Sequence, residues 1–353
     1  MPQLFSPLTI RKVEFRNRVF VSPMCQYSSV AGMPSDWHLV HLGSRAVGGA
    51  GLVMVEATAV SSEGRISPAD SGIWSEEHAE AFKPIVTFLK SHGAVPAMQL
   101  AHAGRKASTA PPWLGGKALA NAEGAWTTLA PSAVPFADYP VPRAMTTADL
   151  ERVTLEFQQA ARRAVAAGFE VIEIHLAHGY LLHEFLSPLA NQRTDDYGGA
   201  LANRMRFPLQ VAEVVRREVP AHLPVFARIS ATDWAAGGWD LAESIQFSAR
   251  LKEQGIDLID CSSGGLVPHV KIPVGPGYQV EFAAEIRKQV GILTGAVGMI
   301  TEARQAEEII ASGKADVVLL ARAMLRDPYW ANHAAKELGG EASWPVQYLR
   351  AVD

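Results

Sequence analysis

Short apolar runs rich in β-branched residues alternate along the chain with longer stretches whose apolar positions recur every three or four residues. The short runs have the length of buried strands, and there are eight of them: 18–22, 52–56, 95–100, 171–175, 225–229, 258–261, 292–296 and 316–320. Helical periodicity marks six of the longer stretches: 76–91, 147–167, 200–218, 241–254, 279–289 and 301–312. Strands separated by helices usually pair in parallel, so the pattern predicts an α/β protein.

The number of strands selects the architecture. Eight strand–helix repeats predict a (β/α)8 TIM barrel, with a doubly wound sheet as the alternative. A doubly wound sheet would more naturally carry a G-x-G-x-x-G or G-x-x-x-x-G-K-[ST] loop, and neither pattern occurs in this sequence. We therefore predict one barrel domain over residues 1–353, with Thr147 as the residue that caps the helix over 147–167.

One long segment, from about residue 104 to 146, interrupts the alternation. It is rich in turn-forming residues, including six prolines between residues 111 and 142. A loop this long inside a compact domain is usually functional or disordered. It follows the third predicted strand, at the end of a barrel where active sites lie, so we predict a lid or subdomain over the site. The alternative is an insertion without a functional role.

Composition narrows the classes of function. The net charge of −4 comes with no basic stripe, which argues against a nucleic-acid partner. No stretch reaches the ~18 uncharged apolar residues that a membrane helix needs. The N-terminal residues lack a continuous apolar signal core, so we expect a cytoplasmic protein. Two cysteines, Cys25 and Cys261, are too few for a disulfide framework or, alone, for an iron–sulfur cluster.

The most informative sequence, VIEIHLAHGYLLHEFL, begins at the fourth predicted strand. Alternation puts Glu173 and His175 on the face that points into the barrel, with His175 at the carboxyl end of the strand. His178 and Tyr180 follow directly, so we expect two imidazoles and a phenol in one small volume. Such groups donate hydrogen bonds to a carbonyl oxygen, and a phenol can also give up its proton. Two alternatives remain at this point: a pair of structural histidines, or a zinc site in which Glu173 joins both histidines.

Cys25 and Tyr27 follow the first predicted strand, at the same end of the barrel. A lone cysteine is most often a small buried apolar residue. At this end of a barrel it is also placed to tune a cofactor or to act as a nucleophile. Nucleophilic use requires an activating neighbour, and the sequence shows none.

Two further features indicate an anionic ligand. Arg228 points into the barrel from the fifth predicted strand, where a lone charge is costly. It therefore binds an anionic ligand, forms a structural ion pair with Glu173 as the expected partner, or does both. Gly298 and the pair Ala321–Arg322 lie in the loops after strands seven and eight, where many barrels bind phosphate. Together these residues imply a phosphorylated cofactor.

Taken together, these residues resemble those of the Old Yellow Enzyme family of FMN-dependent ene-reductases. The matching blocks run from LFSPLTIRKVEFRNRVFVSPMCQYS to the final QYLRAV, and the block HLAHGYLLHEFLSPLANQRTDDYGGALANRMRF is highly specific to that family. Cys25 with Tyr27, and Arg350 near the C-terminus, are similar to its thermophilic-like subclass. The family fold is the (β/α)8 barrel, so the resemblance implies the same fold, a non-covalently bound FMN, and NADPH or NADH as the reductant.

The resemblance also implies a role for each matching residue. His175 and His178 match the pair that binds the carbonyl or nitro oxygen of the substrate, and Tyr180 matches the proton donor. The residues that match flavin contacts are Pro23, Met24, Cys25, Ala57, Gln99 and Arg228, and those that match the phosphate site are Gly298, Ala321 and Arg322. Cys25 and Tyr27 also match substrate contacts. Arg350 matches an arginine that reaches into a neighbouring subunit's active site, which implies a homodimer or homotetramer.

The implied reaction is a ping-pong hydride transfer through the flavin N5, from the nicotinamide to the activated C=C bond of an α,β-unsaturated carbonyl or nitro compound. Two other classes remain open. A metal-dependent hydrolase on the same barrel would use His175, His178 and Glu173. A flavoprotein without turnover would bind FMN only to store or sense electrons.

Overall fold

Eight parallel strands close into a barrel in the computed structural model, which describes residues 2–352. In chain order the strands are β1 (Val19–Val21), β2 (Leu52–Ala59), β3 (Val95–Ala101), β4 (Val171–Leu176), β5 (Val225–Ser230), β6 (Leu258–Ser262), β7 (Leu293–Ala296) and β8 (Val317–Leu320). Each strand pairs with the next along the chain, and β8 pairs with β1. The predicted (β/α)8 barrel is confirmed, and every predicted strand overlaps an observed one.

Helices follow the strands on the outside of the barrel. The longer ones are α1 (Asp36–Val47), α2 (Glu76–Ser91), α3 (Thr147–Ala166), α4 (Leu201–Glu218), α5 (Leu241–Glu253), α6 (Val280–Val290), α7 (Ala303–Ala311) and α8 (Trp330–Glu337). Two short helices, Leu181–Leu186 and Arg322–Arg326, directly follow the loops after β4 and β8. The six predicted helices correspond to α2 through α7, so the sequence periodicity missed α1 and α8.

The sequence pattern did not predict helix α1, because the face that it turns toward the barrel is not uniformly apolar. His38, His41 and Arg45 are buried on it. Two of these side chains have polar partners: Arg45 donates to the carbonyl of Met324 at 2.8 Å, and Nε2 of His38 lies 3.0 Å from Glu56. A periodicity search counts such residues as solvent-facing, whereas tertiary contacts here bury them.

The predicted cap of α3 is wrong by one residue. Thr146, rather than Thr147, caps this helix, because the Thr146 hydroxyl accepts from the Asp149 backbone N–H at 3.2 Å. The Asp149 carboxylate accepts in return from the Thr146 N–H at 2.8 Å, which completes a reciprocal capping box. This cap ends the long segment that follows β3 and begins the helix that leads into β4.

Aromatic rings fill the barrel toward the amino ends of its strands. The N-terminal hairpin, Leu8–Ile10 and Val13–Phe15, brings Phe15 to within 4.9 Å of Phe20, measured between ring centroids. Phe226 of β5 lies 6.5 Å from both rings. All three side chains are fully buried. Water is therefore excluded from this end, and the polar residues of the interior lie nearer the carboxyl ends of the strands.

The segment from 104 to 146 has short structural elements of its own. It contains the 3-10 turns Gly104–Lys106, Pro112–Leu114 and Asn121–Glu123, and the two-residue strands Leu129–Ala130 and Arg143–Ala144. Arg105 donates to the carbonyls of Leu266 at 2.7 Å and Val134 at 3.2 Å. The bond to Leu266 attaches the segment to the loop after β6, at the carboxyl end of the barrel, and the bond to Val134 links two parts of the segment itself.

In the stretch from residue 2 to 352, no helix combines the length and the apolar character that a membrane span requires.

Candidate active site

Three rings come together where β4 ends. The rings of His175 and His178 lie 5.1 Å apart and edge to face, and the ring of Tyr180 lies 5.1 Å from His175 in the same orientation. The chain reverses between them because His178 and Gly179 both adopt positive φ, +59° and +70°. A side chain on Gly179 would meet the carbonyl oxygen of Gly265 at 2.2 Å, so only glycine fits this turn.

Side chains from β5, from the next short helix and from the segment after β3 hold the turn in place. The His178 N–H donates to the Ser230 hydroxyl at 2.9 Å, and the Gly179 N–H donates to Nδ1 of His183 at 2.9 Å. The ammonium of Lys106 donates to the His178 carbonyl at 2.9 Å. With its backbone groups bonded, the turn presents its two rings in a fixed arrangement, which is the preorganisation that a catalytic site requires.

Both histidines are neutral. Burial, reinforced by the nearby positive charge of Arg228, lowers the pKa of His175 and of His178 well below the ordinary value of 6.5. The Ala177 N–H donates to Nδ1 of His175 at 3.3 Å, which leaves the proton of the neutral ring on Nε2. Nε2 of His178 lies 2.7 Å from the Ser262 hydroxyl. His175 can therefore donate a hydrogen bond without carrying a charge.

Tyr180 is a protonated phenol. Burial, and then the proximity of Cys25 and Tyr27, raises its pKa well above the usual 10. The ammonium of Lys106 lies 5.0 Å from the centroid of its ring, within the range of a cation–π contact. Tyr180 thus holds a proton beside the two histidines, as a proton donor must.

Cys25 and Tyr27 lie near enough to Tyr180 to raise the pKa of its phenol. A hydrogen bond joins the thiol and the phenol, and the Tyr27 ring meets the edge of Trp113 from the segment after β3 at 5.7 Å. Burial raises the pKa of Cys25 well above 9, and the acidic Asp70 and Glu56 raise it further. A thiol that stays protonated is a poor nucleophile, so the nucleophile alternative is disfavoured.

The expected pairing of Arg228 with Glu173 is wrong. Arg228 Nε lies 3.1 Å from Oδ2 of Asp260, because β5 and β6 pair in a register that puts these residues side by side. Oε1 of Glu173 instead accepts from the amide of Gln99 on β3 at 2.8 Å. Burial raises the pKa of Glu173 to about 8 and that of Asp260 to about 6. Arg228 also donates to the Ser22 hydroxyl at 3.0 Å.

A cavity of about 260 Å³ opens between the loops after β7 and β8. Gly298, Ala321, Arg322 and Arg326 are among its lining residues. Gly298 has φ +120°, and a Cβ on it would come within 2.7 Å of the Gln279 amide. Two guanidinium groups beside a glycine-containing loop suit a phosphate group. With Gln99 and Arg228 at the mouth of the barrel, the residues fit the phosphate and the ring system of FMN.

The remaining predicted residues are placed as follows. Pro23 and Met24 continue the chain from β1 toward Cys25, and Ala57 lies in β2 where its pairing with β3 shifts register. Arg350 is exposed on the 3-10 helix Val346–Ala351, which packs beside Tyr329 through the Tyr348 ring at 6.3 Å. The structure therefore does not bring Arg350 to the rings at the end of β4 of its own chain.

Sequence reasoning missed Lys106 and Asp260. The signal for Lys106 was a lysine directly after the third predicted strand, at the catalytic end of the barrel. For Asp260 it was an acidic residue inside the otherwise apolar strand LIDC. Across residues 2–352, no three or more His, Cys, Asp or Glu side chains are grouped as a metal site. Within those residues, the metal-dependent hydrolase therefore lacks the group of side chains that would bind its metal ion.

Comparison with known proteins identifies the family of the chain. Residues 3–341 match the NADH:flavin oxidoreductase / NADH oxidase family. The chain is 50% identical over 350 residues to an NADPH dehydrogenase of Geobacillus sp. (strain WCH70), covering 98% of both chains. It is 48% identical over 351 residues to the NADPH dehydrogenase of Bacillus subtilis (strain 168), covering 99% of this chain and 98% of that one.

Solved structures give the same result. Morphinone reductase superposes with a TM-score of 0.79 at 26% identity, over 97% of this chain and 91% of its own. A complex of 2-naphthoyl-CoA reductase with 2-naphthoyl-CoA gives a TM-score of 0.86 at 25% identity, over 95% of this chain and 52% of that one. The resemblance drawn from the sequence and the prediction of FMN with a nicotinamide reductant are confirmed. The chain belongs to the NADH:flavin oxidoreductase / NADH oxidase family and is an FMN-dependent NAD(P)H oxidoreductase.

Proposed function

We propose that this enzyme reduces the activated C=C bond of α,β-unsaturated carbonyl compounds, and of nitro compounds, with NADPH or NADH as the source of hydride. The observation that carries the proposal is the convergence of His175, His178 and Tyr180 at the carboxyl end of the barrel. All three are uncharged. Neutral donors suit an uncharged carbonyl or nitro oxygen, since a carboxylate substrate would call for a cation.

FMN, when bound, supplies the hydride chemistry, taking hydride from the nicotinamide and delivering it to the alkene. The protein residues supply binding and charge placement. Nε2 of His175, together with the His178 ring, donates to the substrate oxygen, on which negative charge builds as hydride arrives. Because these donors are already in place, they stabilise the transition state more than the ground state. Tyr180 gives its phenolic proton to the carbon next to the carbonyl group.

The chain's residues would hold FMN at both of its ends. Arg322 and the backbone at Gly298 and Ala321 would bind the phosphate, and Gln99 and Arg228 would bind the pyrimidine end of the ring system. Pro23, Met24 and Ala57 would contact the ring system. Cys25, a neutral thiol, would tune the reduction potential of the flavin, while Tyr27 would add a hydrogen-bonding group to the substrate pocket.

Arg350 acts in trans in a homodimer or homotetramer. The C-terminal helix that carries it is unusually apolar for its exposure, with Val346 77% and Leu349 57% accessible. Such residues beside an exposed arginine favour contact with a second copy. Arg350→Ala should raise the KM for the enone while the protein stays oligomeric by sedimentation. A monomeric preparation that kept wild-type kinetics would contradict the shared site.

The experiment for the reaction follows the flavin absorbance of the purified holoenzyme. NADPH should bleach it without oxygen, and cyclohexenone should then restore it. Tyr180→Phe should bleach at the wild-type rate but recover more slowly with the enone, because only the second half-reaction needs its proton. A protein that bleaches but is never reoxidised by any enone or nitroalkene stores electrons instead, and the proposal fails.

A further inference from the structure

Four polar side chains form a layer across the inside of the barrel. Gln99, Glu173, Arg228 and Asp260 come from the consecutive strands β3, β4, β5 and β6. Register pairs Gln99 with Glu173 and Arg228 with Asp260, and none of the four residues is more than 6% exposed. Phe226 pairs with Glu173 in the register of β4 and β5, and it belongs to the sealed aromatic cluster. Water thus has no access to this layer from the amino end of the barrel.

The layer contains two carboxyl groups and one cation. Arg228, 3.1 Å away, is the counter-ion of Asp260. Glu173 receives only the neutral amide of Gln99, and its second oxygen, Oε2, is buried without a hydrogen-bond partner. The other titratable group near it on β4, His175, is uncharged. Arg228 is also near enough to favour an ionised Glu173, but Asp260 acts against it. If Glu173 and Asp260 were both ionised, two buried carboxylates would share the single charge of Arg228, which leaves one buried negative charge uncompensated and costs several kcal/mol.

We propose that Glu173 carries a proton at neutral pH, which leaves Arg228 with a single carboxylate partner and free to stabilise the negative charge of the reduced flavin. Glu173 is thus a positioning residue that acts on the cofactor through Arg228. The assignment agrees with the order of the two pKa values, about 8 for Glu173 and about 6 for Asp260. It rests on the proposed position of the flavin ring beside Arg228, and it does not depend on the identity of the alkene.

The charge balance gives a measurable consequence. Hydride transfer from the nicotinamide adds two electrons and one proton to the flavin, oxidises the nicotinamide, and leaves one negative charge beside Arg228. At pH 7 Glu173 keeps its proton throughout. Once the pH exceeds about 8, Glu173 of the oxidised enzyme is ionised, and the new negative charge makes it bind a proton on reduction.

The first test measures the midpoint potential of the bound flavin against pH in wild type and in Glu173→Gln, whose amide imitates the protonated acid. We expect the wild-type curve to become about twice as steep above about pH 8, since a second proton joins the same two electrons. The Glu173→Gln curve should keep one slope. The control is Glu170→Gln, a residue that pairs with Lys90 at 3.0 Å on the surface, and it should follow wild type. Wild-type and Glu173→Gln curves of the same shape would overturn the proposal.

The second test needs no substrate and no turnover. At pH 7 the infrared spectrum of the wild-type holoenzyme should contain the carbonyl stretch of the buried, protonated Glu173, and the difference spectrum between wild type and Glu173→Gln should show that this band is lost. The band of the buried Glu184, whose pKa is also raised to about 8, should remain in both proteins.

Asp260→Asn should also lack the Glu173 band, because Arg228 then becomes the counter-ion of an ionised Glu173. A Glu173 band that persists in Asp260→Asn would overturn the arrangement of two carboxyl groups around one cation. If the infrared band changes as expected but the midpoint potential does not, Glu173 is protonated without acting on the flavin, and the proposal is wrong on that point. This result would leave the proposed reduction of alkenes unaffected.

Discussion

His175 and His183 lie eight residues apart around the same turn, and both are buried, yet their surroundings differ. Nε2 of His183 lies 3.0 Å from the buried carboxylate of Asp233, while its Nδ1 accepts from Gly179. His175 also accepts a backbone N–H at Nδ1, but no carboxylate of residues 2–352 is paired with its ring. Both ring nitrogens of His183 therefore face protein groups. In His175, by contrast, Nε2 still has a proton that it can donate to a ligand.

Helix α1 repeats the arrangement of His183. Nδ1 of His38 accepts from the Ser35 N–H at 2.9 Å, and its Nε2 lies 3.0 Å from Glu56. The pair ties α1 to β2. Burial alone does not separate a catalytic histidine from a structural one in this protein. What distinguishes His38 and His183 from His175 is a carboxylate partner, because such a partner takes the proton-bearing nitrogen.

The largest expected effect follows from removing the free donor. His175→Ala should raise the free-energy barrier of enone reduction by ~2.7–4 kcal/mol, because a preplaced donor to the developing oxyanion is lost. The rate of enone reduction should therefore fall about a hundred- to a thousandfold. Bound FMN and its bleaching by NADPH should be retained. Rapid-reaction absorbance measures both half-reactions, and titration with a phenol measures the binding site directly. If the variant bound the phenol as tightly as wild type, His175 would not be part of the ligand-binding site.

A smaller effect, and one on stability, is expected at the paired histidine. His183→Leu leaves the Asp233 carboxylate and the Gly179 N–H without their partner, so the free energy of unfolding should fall by about 1–3 kcal/mol. The matched control is His333→Leu, which breaks an exposed histidine–aspartate pair, 2.7 Å from Asp327, and should cost less than ~1 kcal/mol. Denaturant titrations compare the two. Equal losses would show that the buried carboxylate does not distinguish His183.

The smallest expected effect is on how the free energy of unfolding changes as the pH falls. The pKa of His178 is lowered well below 6.5 by burial, and that of His102 to about 3 for the same reason. The unfolded chain takes up a proton on each as the pH falls through about 6.5, so the stability that each neutral ring contributes is present above that pH and lost below it. Each should account for about 1.4 kcal/mol of the loss at pH 5.5.

His178→Gln and His102→Gln should therefore each flatten the decline in unfolding free energy between pH 7 and 5.5. Equilibrium denaturation at the two pH values measures this decline. Curves parallel to wild type would mean that these rings take up protons in the folded protein as readily as in the unfolded chain.

Much of the fold and part of the site could be predicted because both depend on local periodicity. Strand alternation places His175 at an inward strand end whatever the neighbouring strands do. The partner of Arg228 could not be predicted in this way, since it depends on how β5 and β6 align when the barrel closes, and that register places Asp260 rather than Glu173 beside it. Lys106 was missed for a similar reason, because its contact with His178 joins two loops far apart in sequence.

The hydrogen bonds that attach the segment after β3 to the loop after β6 affect which residues of this enzyme can change during evolution. Arg105 and Lys106 reach from it to the backbone carbonyls of Leu266 and Gly265. Every amino acid offers a carbonyl oxygen, so these loops can exchange most side chains over evolution without releasing the segment. Gly265 is the exception, because a Cβ there would lie 2.7 Å from the backbone of His178. New substrate preferences can thus arise in the pocket walls while Gly265, like Gly179 opposite it, stays fixed.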